Sequence, residues 1–300
     1  MTNTTARQVA GLRPNSDGER TIMLIAQISD PHITPPGEKA YGVAPTADSL
    51  ALCIQNINQI EPKLDIVLVT GDITNDGKVE SAEHAKSLLS NLNCPYFITP
   101  GNHDSRDVLI SVFKDQIGEP QEDFINYVID EHELRLVAID TKRAGFPGGE
   151  LCAKRLSWLE DRLLEDEQRP TIIFMHHPPV ECGVLETDED GFEGAEKLGR
   201  LIARFNNIKA LVCGHIHLPT CTAWHGAIVS TAPSTGMKLS LDLTMQRPSE
   251  FFLGAPGYQL HYFSKNKNLV THTIDVRTNY DGPYPFEDHL SLVSNGVNSQ

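Results

Sequence analysis

Short apolar runs recur along this chain, and five of them end in a residue that can bind a metal. The simplest is Val67–Thr70, which stops at Gly71 and is followed by the carboxylate of Asp72. A short apolar run bounded by turn residues is typical of a buried strand, and α/β sheets bind ligands at the carboxyl ends of their strands. We therefore expect Asp72 to lie where five strand ends meet.

The spacing of the apolar residues predicts an α/β protein. Amphipathic helices lie between the first strands, and one begins near Thr46 with Leu50, Cys53 and Ile57 on a single face. After about residue 220 the helices give way to strands. This order favours a four-layer α-β-β-α sandwich of two mixed sheets flanked by helices. Strands are predicted at 23–29, 66–70, 95–99, 124–129, 134–139, 171–175, 210–213, 227–231, 259–263 and 270–276.

The composition is that of a globular protein, with 300 residues of which 40% are hydrophobic. We expect one domain over 22–278, with flexible extensions at 1–21 and 279–300. A formal net charge of -15 without a basic cluster argues against a protein that binds long nucleic acid. A small anionic substrate fits, because bound metals reverse the local field. No apolar run is long enough to span a membrane, and cysteines without a C-x-x-C pair favour the cytoplasm.

The residues that follow the five apolar runs offer oxygen and imidazole ligands, and none is a cysteine. Mixed sites of this kind suit Mn, Fe, Zn or Co better than Ca or Mg. Seven such ligands exceed what one ion takes and fit two ions that share a carboxylate. Two-metal sites hold their ions about 3.5–4 Å apart and perform in-line displacement at phosphorus. The ligands are Asp30, His32, Asp72, Asn102, His176, His215 and His217.

The local backbone around these ligands is also predictable. Members of a pair such as Asp30 and His32 stand one residue apart and would point to the same side of an extended backbone. The pair His215 and His217 repeats this spacing. A glycine precedes Asp72, Asn102 and His215, and we expect it to permit tight turns with positive φ.

The ordered set of motifs resembles the calcineurin-like metallophosphoesterase superfamily. A single motif is weak, but the ordered set between about residues 22 and 220 is specific. Ile73–Gly77 after Asp72 and the ending GNHD differ from the Ser/Thr phosphoprotein phosphatases. The spacing is most similar to bacterial class III cyclic nucleotide phosphodiesterases and binuclear glycerophosphodiesterases. The motifs are DPH at 30–32, GD at 71–72, GNHD at 101–104, MHHPP at 175–179 and GHIH at 214–217.

The resemblance implies a role for each matching residue. Asp72 would bridge two transition metal ions, Fe, Mn or Zn, together with a hydroxide that attacks phosphorus in line. His103 would act as a general acid or stabilise the transition state, and Asp104 would orient it. The first ion would bind Asp30, His32 and His217, and the second Asn102, His176 and His215.

The resemblance also implies a function. We expect a phosphodiesterase of small phosphodiesters, with 3′,5′-cyclic nucleotides as the leading substrates. Glycerophosphodiesters and phosphomonoesters are the alternatives. A non-catalytic scaffold would predict gaps among the ligands, and the sequence has none. Relatives imply a homo-oligomer, a dimer or larger.

Several residues remain open to two interpretations. The segments Pro35–Ala44, Glu186–Asp190 and Met237–Arg247 are either surface loops or parts of a wall, lid or dimer contact near the site. We favour a solvated loop for the acidic run Glu186–Asp190. His177 is expected to pack or to be exposed and not to bind metal. Structural roles are expected for His225, His261 and His272.

Overall fold

The computed structural model describes residues 22–118 and 123–276, so the extensions predicted at 1–21 and 279–300 lie outside the described residues. In chain order the strands are β1 (Met23–Ile28), β2 (Ile66–Thr70), β3 (Tyr96–Thr99), β4 (Tyr127–Ile129), β5 (Arg135–Ala138), β6 (Gly149–Glu150), β7 (Thr171–Phe174), β8 (Phe192–Glu193), β9 (Ile208–Cys213), β10 (Thr220–Trp224), β11 (Ala227–Thr231), β12 (Met237–Ser240), β13 (Glu250–Leu253), β14 (Gly257–Phe263) and β15 (Leu269–Asp275). The helices are α1 (Thr46–Asn58), α2 (Val79–Leu89), α3 (Arg106–Val112), α4 (Ala153–Leu164), α5 (Leu185–Asp190) and α6 (Ala195–Ile202).

Two mixed sheets carry the fold. The first has the order β15-β14-β1-β2-β3, in which β1, β2 and β3 run parallel and β14 is antiparallel to both of its neighbours. The second has the order β10-β11-β9-β7-β5-β4, with β11, β9, β7 and β5 parallel. Since nearly every residue of β1, β2 and β3 is buried, these strands are covered on both faces.

Buried side chains define four layers. Ile28 and Leu68 of the first sheet share one core with Phe174 and Val212 of the second, so the two sheets pack face to face. Helices α1 and α2 extend this core on the outer side of the first sheet, and α4 and α6 cover the second sheet. The predicted α-β-β-α sandwich is therefore confirmed.

Inward polar side chains pin the two sheets together next to the carboxyl ends of their parallel strands. Gln27 in β1 donates to the Cys213 carbonyl in β9 at 2.8 Å. Thr99 in β3 donates to the Ile139 carbonyl just after β5 at 3.2 Å. Each bond satisfies a buried polar group and fixes the distance between strand ends of opposite sheets. The five predicted ligand segments follow β1, β2, β3, β7 and β9, which are parallel strands of these two sheets.

The structure differs from the sequence-based elements in several places, among them the edge strand β10 (Thr220–Trp224), which was not predicted. The acidic run predicted as a solvated loop forms helix α5, although its side chains stay out of the core. The segment that begins at Met237 forms a hairpin of β12 and β13, which apolar periodicity did not indicate. A short ladder between β6 and β8 was also missed. In the described residues, no helix is both long and apolar enough to cross a membrane.

Candidate metal centre

After β1, β2 and β9 the ligand residues adopt left-handed backbone conformations, which corrects the expectation of an extended chain for the two pairs. Positive φ angles are rare for residues with a side chain and cost about 1–3 kcal/mol each, so surrounding contacts must hold them. The amide of His32 donates to the Asp72 carbonyl at 2.9 Å, and the amide of Asp30 donates to the Gly71 carbonyl at 3.2 Å. Positive φ occurs at Asp30 (50°), His32 (43°), Asp72 (47°), His215 (74°) and His217 (56°).

The three glycines before the ligands have two different roles. Gly71 adopts the predicted positive φ, at 84°. Gly101 and Gly214 do not, and they are needed for close approach instead. A Cβ on Gly101 would lie 2.2 Å from Asp72 Oδ1, and one on Gly214 would lie 1.9 Å from Ser29 Oγ. Only a residue without a side chain lets these strand ends meet.

The first group of ligands brings together the ends of β1 and β9. His32 Nε2 lies 3.1 Å from His217 Nε2 and 3.5 Å from Asp72 Oδ2. His217 Nε2 lies 3.5 Å from Asp30 Oδ1. Ligand atoms of Asp30, His32 and His217 all lie within 4.8 Å of one another, which is compatible with one ion between them.

The second group brings together the ends of β3, β7 and β9. Asn102 Oδ1 lies 3.0 Å from His176 Nε2 and 3.1 Å from His215 Nδ1. His176 Nε2 is also 3.4 Å from Asp72 Oδ2. The carboxylate of Asp72 therefore lies between the two groups, within reach of both.

The donor set fits metal ions on the evidence of its tautomers. His176 Nδ1 faces the Thr70 carbonyl and His217 Nδ1 faces the Met237 carbonyl, each at 2.8 Å. A carbonyl only accepts, so each Nδ1 carries a hydrogen and each Nε2 is the nitrogen that faces the centre. Carbonyl partners of this kind orient metal-binding imidazoles in known sites.

Burial and neighbouring charge set the pKa values in this centre. Burial lowers the pKa of His215 to about 3 and that of His32 well below its ordinary value, which leaves both imidazoles free to bind metal. Burial alone would raise the pKa of Asp72, but the positive charge of His176 outweighs burial and holds the Asp72 pKa well below its ordinary range. For His176, the Asp72 carboxylate outweighs burial and raises the pKa to about 9. A metal ion held by His176 would take the place of this proton.

His103 borders the first group of ligands. Its ring nitrogen lies within 4.8 Å of ligand atoms of His32 and Asp72, and its amide donates to Asp72 Oδ1 at 2.8 Å. The ring is oriented by the Asn75 carbonyl, which faces His103 Nδ1 at 2.9 Å. Asp104 was predicted to orient His103, but its carboxylate binds backbone amides of two loops instead, so this prediction is corrected.

Asp104 ties two loops together. Its carboxylate accepts hydrogen bonds from the amides of Ile73, Thr74 and Gly101, at 3.1, 2.8 and 2.9 Å. These bonds join the loop after β2 to the loop after β3. Asp104 therefore holds the backbone that carries Asp72 and Asn102, and Asn75 takes the orienting role.

Sequence reasoning missed the end of β5. Thr141 follows this strand and bonds His177 through its hydroxyl, which lies 2.8 Å from His177 Nδ1. His177 Nε2 faces the Pro147 carbonyl at 3.0 Å, so both ring nitrogens are used and His177 packs as predicted. The signal was present in the sequence, because the predicted strand at 134–139 is followed by the polar residues Asp140, Thr141 and Lys142. It was overlooked because none of these three residues is a histidine.

The three open segments contact one another in one wall, which borders the first group of ligands at Tyr41. Ala40, Ala44 and Met237 are buried together, and the rings of Tyr41 and Phe251 lie 5.6 Å apart. The Tyr41 ring is 6.4 Å from that of His32. At the other end of the hairpin, the amide of Ser249 donates to Glu186 at 2.7 Å. The wall thus runs from the loop at 35–44 through the β12–β13 hairpin to α5.

None of the three histidines for which structural roles were expected belongs to these groups of ligands. His261 is buried between β1 and β15, where its ring contacts Gln27 and Thr271. His225 and His272 are exposed, so of the three only His261 is buried within a sheet.

Comparisons with known proteins identify the family and the fold. Residues 23–219 match the family model described as calcineurin-like phosphoesterase. The chain is 35% identical over 265 residues to a probable glycerophosphodiester phosphodiesterase of Arcobacter nitrofigilis, covering 88% of this chain and 97% of that protein. It is 28% identical over 219 residues to the 3′,5′-cyclic adenosine monophosphate phosphodiesterase of Escherichia coli K12, covering 73% and 78%. A dimetal phosphatase from Danio rerio has a similar fold, with a TM-score of 0.60 at 16% identity over 85% of this chain and 99% of that one.

Proposed function

Because the chain belongs to the calcineurin-like phosphoesterase family of metal-dependent hydrolases, we propose that it is a binuclear phosphodiesterase of small phosphodiesters. The observation that carries this proposal is the position of Asp72 Oδ2, 3.5 Å from His32 and 3.4 Å from His176. One carboxylate oxygen thus faces both groups of ligands. A complete ligand set also favours catalysis over a scaffold.

The proposed ligands divide between two ions of Fe, Mn or Zn. Two such ions would acidify a water and neutralise charge on the phosphoryl oxygens. Asp72 is the shared ligand, and the carbonyls of Thr70 and Met237 keep two of the imidazoles aimed at the centre. The first ion is assigned Asp30, His32 and His217, and the second Asn102, His176 and His215.

His103 is assigned the proton transfer to the leaving group. Its Nδ1 carries the hydrogen that faces the Asn75 carbonyl, so Nε2 is the nitrogen available to substrate. When protonated, Nε2 donates to the oxygen that departs from phosphorus, which removes the developing negative charge. His103 is half-buried, which leaves one side of the ring accessible.

Two substrate classes compete. Sequence motifs placed cyclic nucleotides first, but the relatives at 35% and 31% identity are named glycerophosphodiester phosphodiesterases and match over almost their whole length. We therefore place glycerophosphodiesters first and 3′,5′-cyclic nucleotides second. A cavity of about 240 Å³ beside His215, lined also by His177 and Phe192, suits a small alcohol group.

A chelation experiment tests the proposed function. The protein is freed of metal, and hydrolysis of bis(p-nitrophenyl) phosphate is measured before and after Mn is returned. We expect activity to vanish and then recover, and His176→Asn to prevent recovery while the exposed control His272→Asn permits it. Full activity after complete chelation would refute the proposal. A panel of glycerophosphodiesters, cyclic nucleotides and phosphomonoesters, compared by kcat/KM, then ranks the substrates.

We also propose a cytoplasmic homo-oligomer, a dimer or larger. All six cysteines are free thiols, in keeping with a reducing compartment. Apolar side chains stand exposed on and beside the hairpin, with Leu243 70% and Phe252 64% accessible, as at many subunit contacts. Light scattering of the purified chain measures the assembly directly.

A further inference from the structure

The end of β5 carries a cluster of charges that the proposed mechanism does not use. Asp140 and Arg155 are almost fully buried there, at 0% and 1% exposure. Asp140 binds Arg106 through two hydrogen bonds of 2.6 and 2.9 Å. Burying a charge costs desolvation free energy even when the charge is paired. A buried cluster of this kind beside a proposed metal centre therefore suggests a role beyond stability.

The cluster fixes the main chain of one residue, Lys142. The Lys142 amide donates to Asp140 Oδ1 at 2.9 Å. Its carbonyl accepts from Arg106 Nη2 at 2.5 Å and from Arg155 Nη1 at 3.0 Å. Arg155 is itself held by Glu150 at 2.7 Å. Both backbone polar groups of Lys142 are therefore bound by charged partners, which leaves its main chain little freedom.

The side chain of Lys142 crosses from the second sheet to the first. Its ammonium donates to the main-chain carbonyl of Asn102 at 2.6 Å. Asn102 is the proposed amide ligand of the second ion, with its Oδ1 near His176 and His215. A charge-assisted hydrogen bond of this length is among the stronger ones in proteins.

We propose that Lys142 is a positioning residue for the second metal ion. Asn102 lies in a loop, and its amide must hold one orientation to complete the site. The clamped Lys142 main chain and its ammonium restrain the Asn102 main chain from the opposite sheet. Partners of this kind outside the ligand set change metal affinity or activity by about 10–100-fold when removed. The inference rests on the proposed two-metal function.

Titration with Mn tests the inference, using the full chain after metal removal. Lys142→Met deletes the ammonium, Lys142→Arg keeps a cationic donor, and Arg143→Met removes a neighbouring charge that does not contact the ligands. We expect Lys142→Met to weaken the second Mn site about 10–100-fold and to leave the first unchanged. Lys142→Arg should restore most of the affinity, and Arg143→Met should match the unmodified chain.

Binding is followed by calorimetry and by the spin coupling of the Mn pair, which do not depend on activity. Activity of Lys142→Met should return when Mn is raised to saturate the second site. Unchanged affinity in Lys142→Met would overturn the inference, as would equal weakening of both sites together with a lower melting temperature. If the unmodified chain bound fewer than two Mn, the proposed function would fail instead, so the two failures are distinguishable.

Discussion

At the scale of single residues, the proposed ligands hold backbone conformations that L-residues avoid. Asp30, Asp72 and His215 all have positive φ, and none is a glycine. The left-handed turn aims each side chain away from its own strand and into the space between the strand ends. Strain of about 1–3 kcal/mol per residue persists only where the surroundings hold it. Here backbone hydrogen bonds between neighbouring strand ends supply that restraint.

Removal of the shared carboxylate should affect both ions. We expect Asp72→Ala to lose both Mn ions and Asn102→Ala to lose mainly the second, because Asp72 faces both ligand groups. Elemental analysis after dialysis against Mn measures the ratio of metal to protein. The exposed His225→Ala serves as control. Two retained ions in Asp72→Ala would contradict the assignment of Asp72.

Removal of His103 should affect chemistry and not metal content. We expect His103→Ala to lower kcat about 10²–10⁴-fold, the usual range for a general acid. Both Mn ions should remain, because the contact from His103 to Asp72 is made by its backbone amide. Steady-state kinetics and elemental analysis on the same sample check this. An unchanged kcat would remove His103 from the proposed mechanism.

At the scale of elements, the site depends on strands ending close together. Gly101 and Gly214 permit that approach by lacking a side chain. Asp104 joins the loops after β2 and β3 through backbone amides, and Lys142 reaches from the end of β5 to the loop after β3. Each of these residues links two elements and helps to position a proposed ligand, although it is not a ligand itself.

A methyl group at Gly101 should separate β2 from β3. In Gly101→Ala the added carbon would lie 2.2 Å from Asp72 Oδ1, so the carboxylate must move. We expect a loss of stability of about 1–3 kcal/mol, as for overpacked sites, and weak binding of both ions. Gly254→Ala is the matched control, since its nearest contact is the flexible Lys238 chain at 3.2 Å. Urea unfolding and Mn titration measure both effects, and tight Mn binding in Gly101→Ala would argue against the close approach.

At the scale of the whole molecule, polar residues link the two sheets beneath the site. His261 contacts Gln27 Oε1 at 3.0 Å, and Gln27 donates to the Cys213 carbonyl and to Thr70 Oγ1. Cys213 and Thr70 are the last residues of β9 and β2. Because Oε1 only accepts, His261 Nε2 must carry the hydrogen, and the Thr271 hydroxyl donates to Nδ1. The neutral His261 ring thus donates one hydrogen bond to Gln27 and accepts one from Thr271.

This arrangement predicts a pH-dependent stability. Burial lowers the pKa of His261 from 6.5 to about 4, so between these values the unfolded chain binds more protons. The shifted pKa of His261 contributes roughly 3 kcal/mol to the free energy of unfolding above pH 6.5. This contribution is lost as the pH falls to about 4. We expect the free energy of unfolding of His261→Gln to vary less with pH over this window. Urea unfolding at several pH values measures the difference, and an identical slope would contradict the buried neutral state.

Much of this protein is predictable from local patterns. Apolar runs place nearly every core strand, since a buried strand must be apolar whatever packs on it. The ligands lie at the ends of those runs, so their identity and order indicate the family and its sandwich fold. His103 is recognisable for the same reason, because it lies within the motif at 101–104.

Tertiary structure alone decided how the ligands are held. His103 is oriented by the main-chain carbonyl of Asn75, and no sequence motif indicates a main-chain contact of this kind. Thr141 and Lys142 act on residues of other strands, and the wall joins segments as distant as Tyr41 and Phe251. Such contacts depend on which elements pack together, whereas periodicity reports only the chain's own neighbours. The sequence therefore indicates the proposed ligand set around Asp72, and packing of the two sheets determines its geometry.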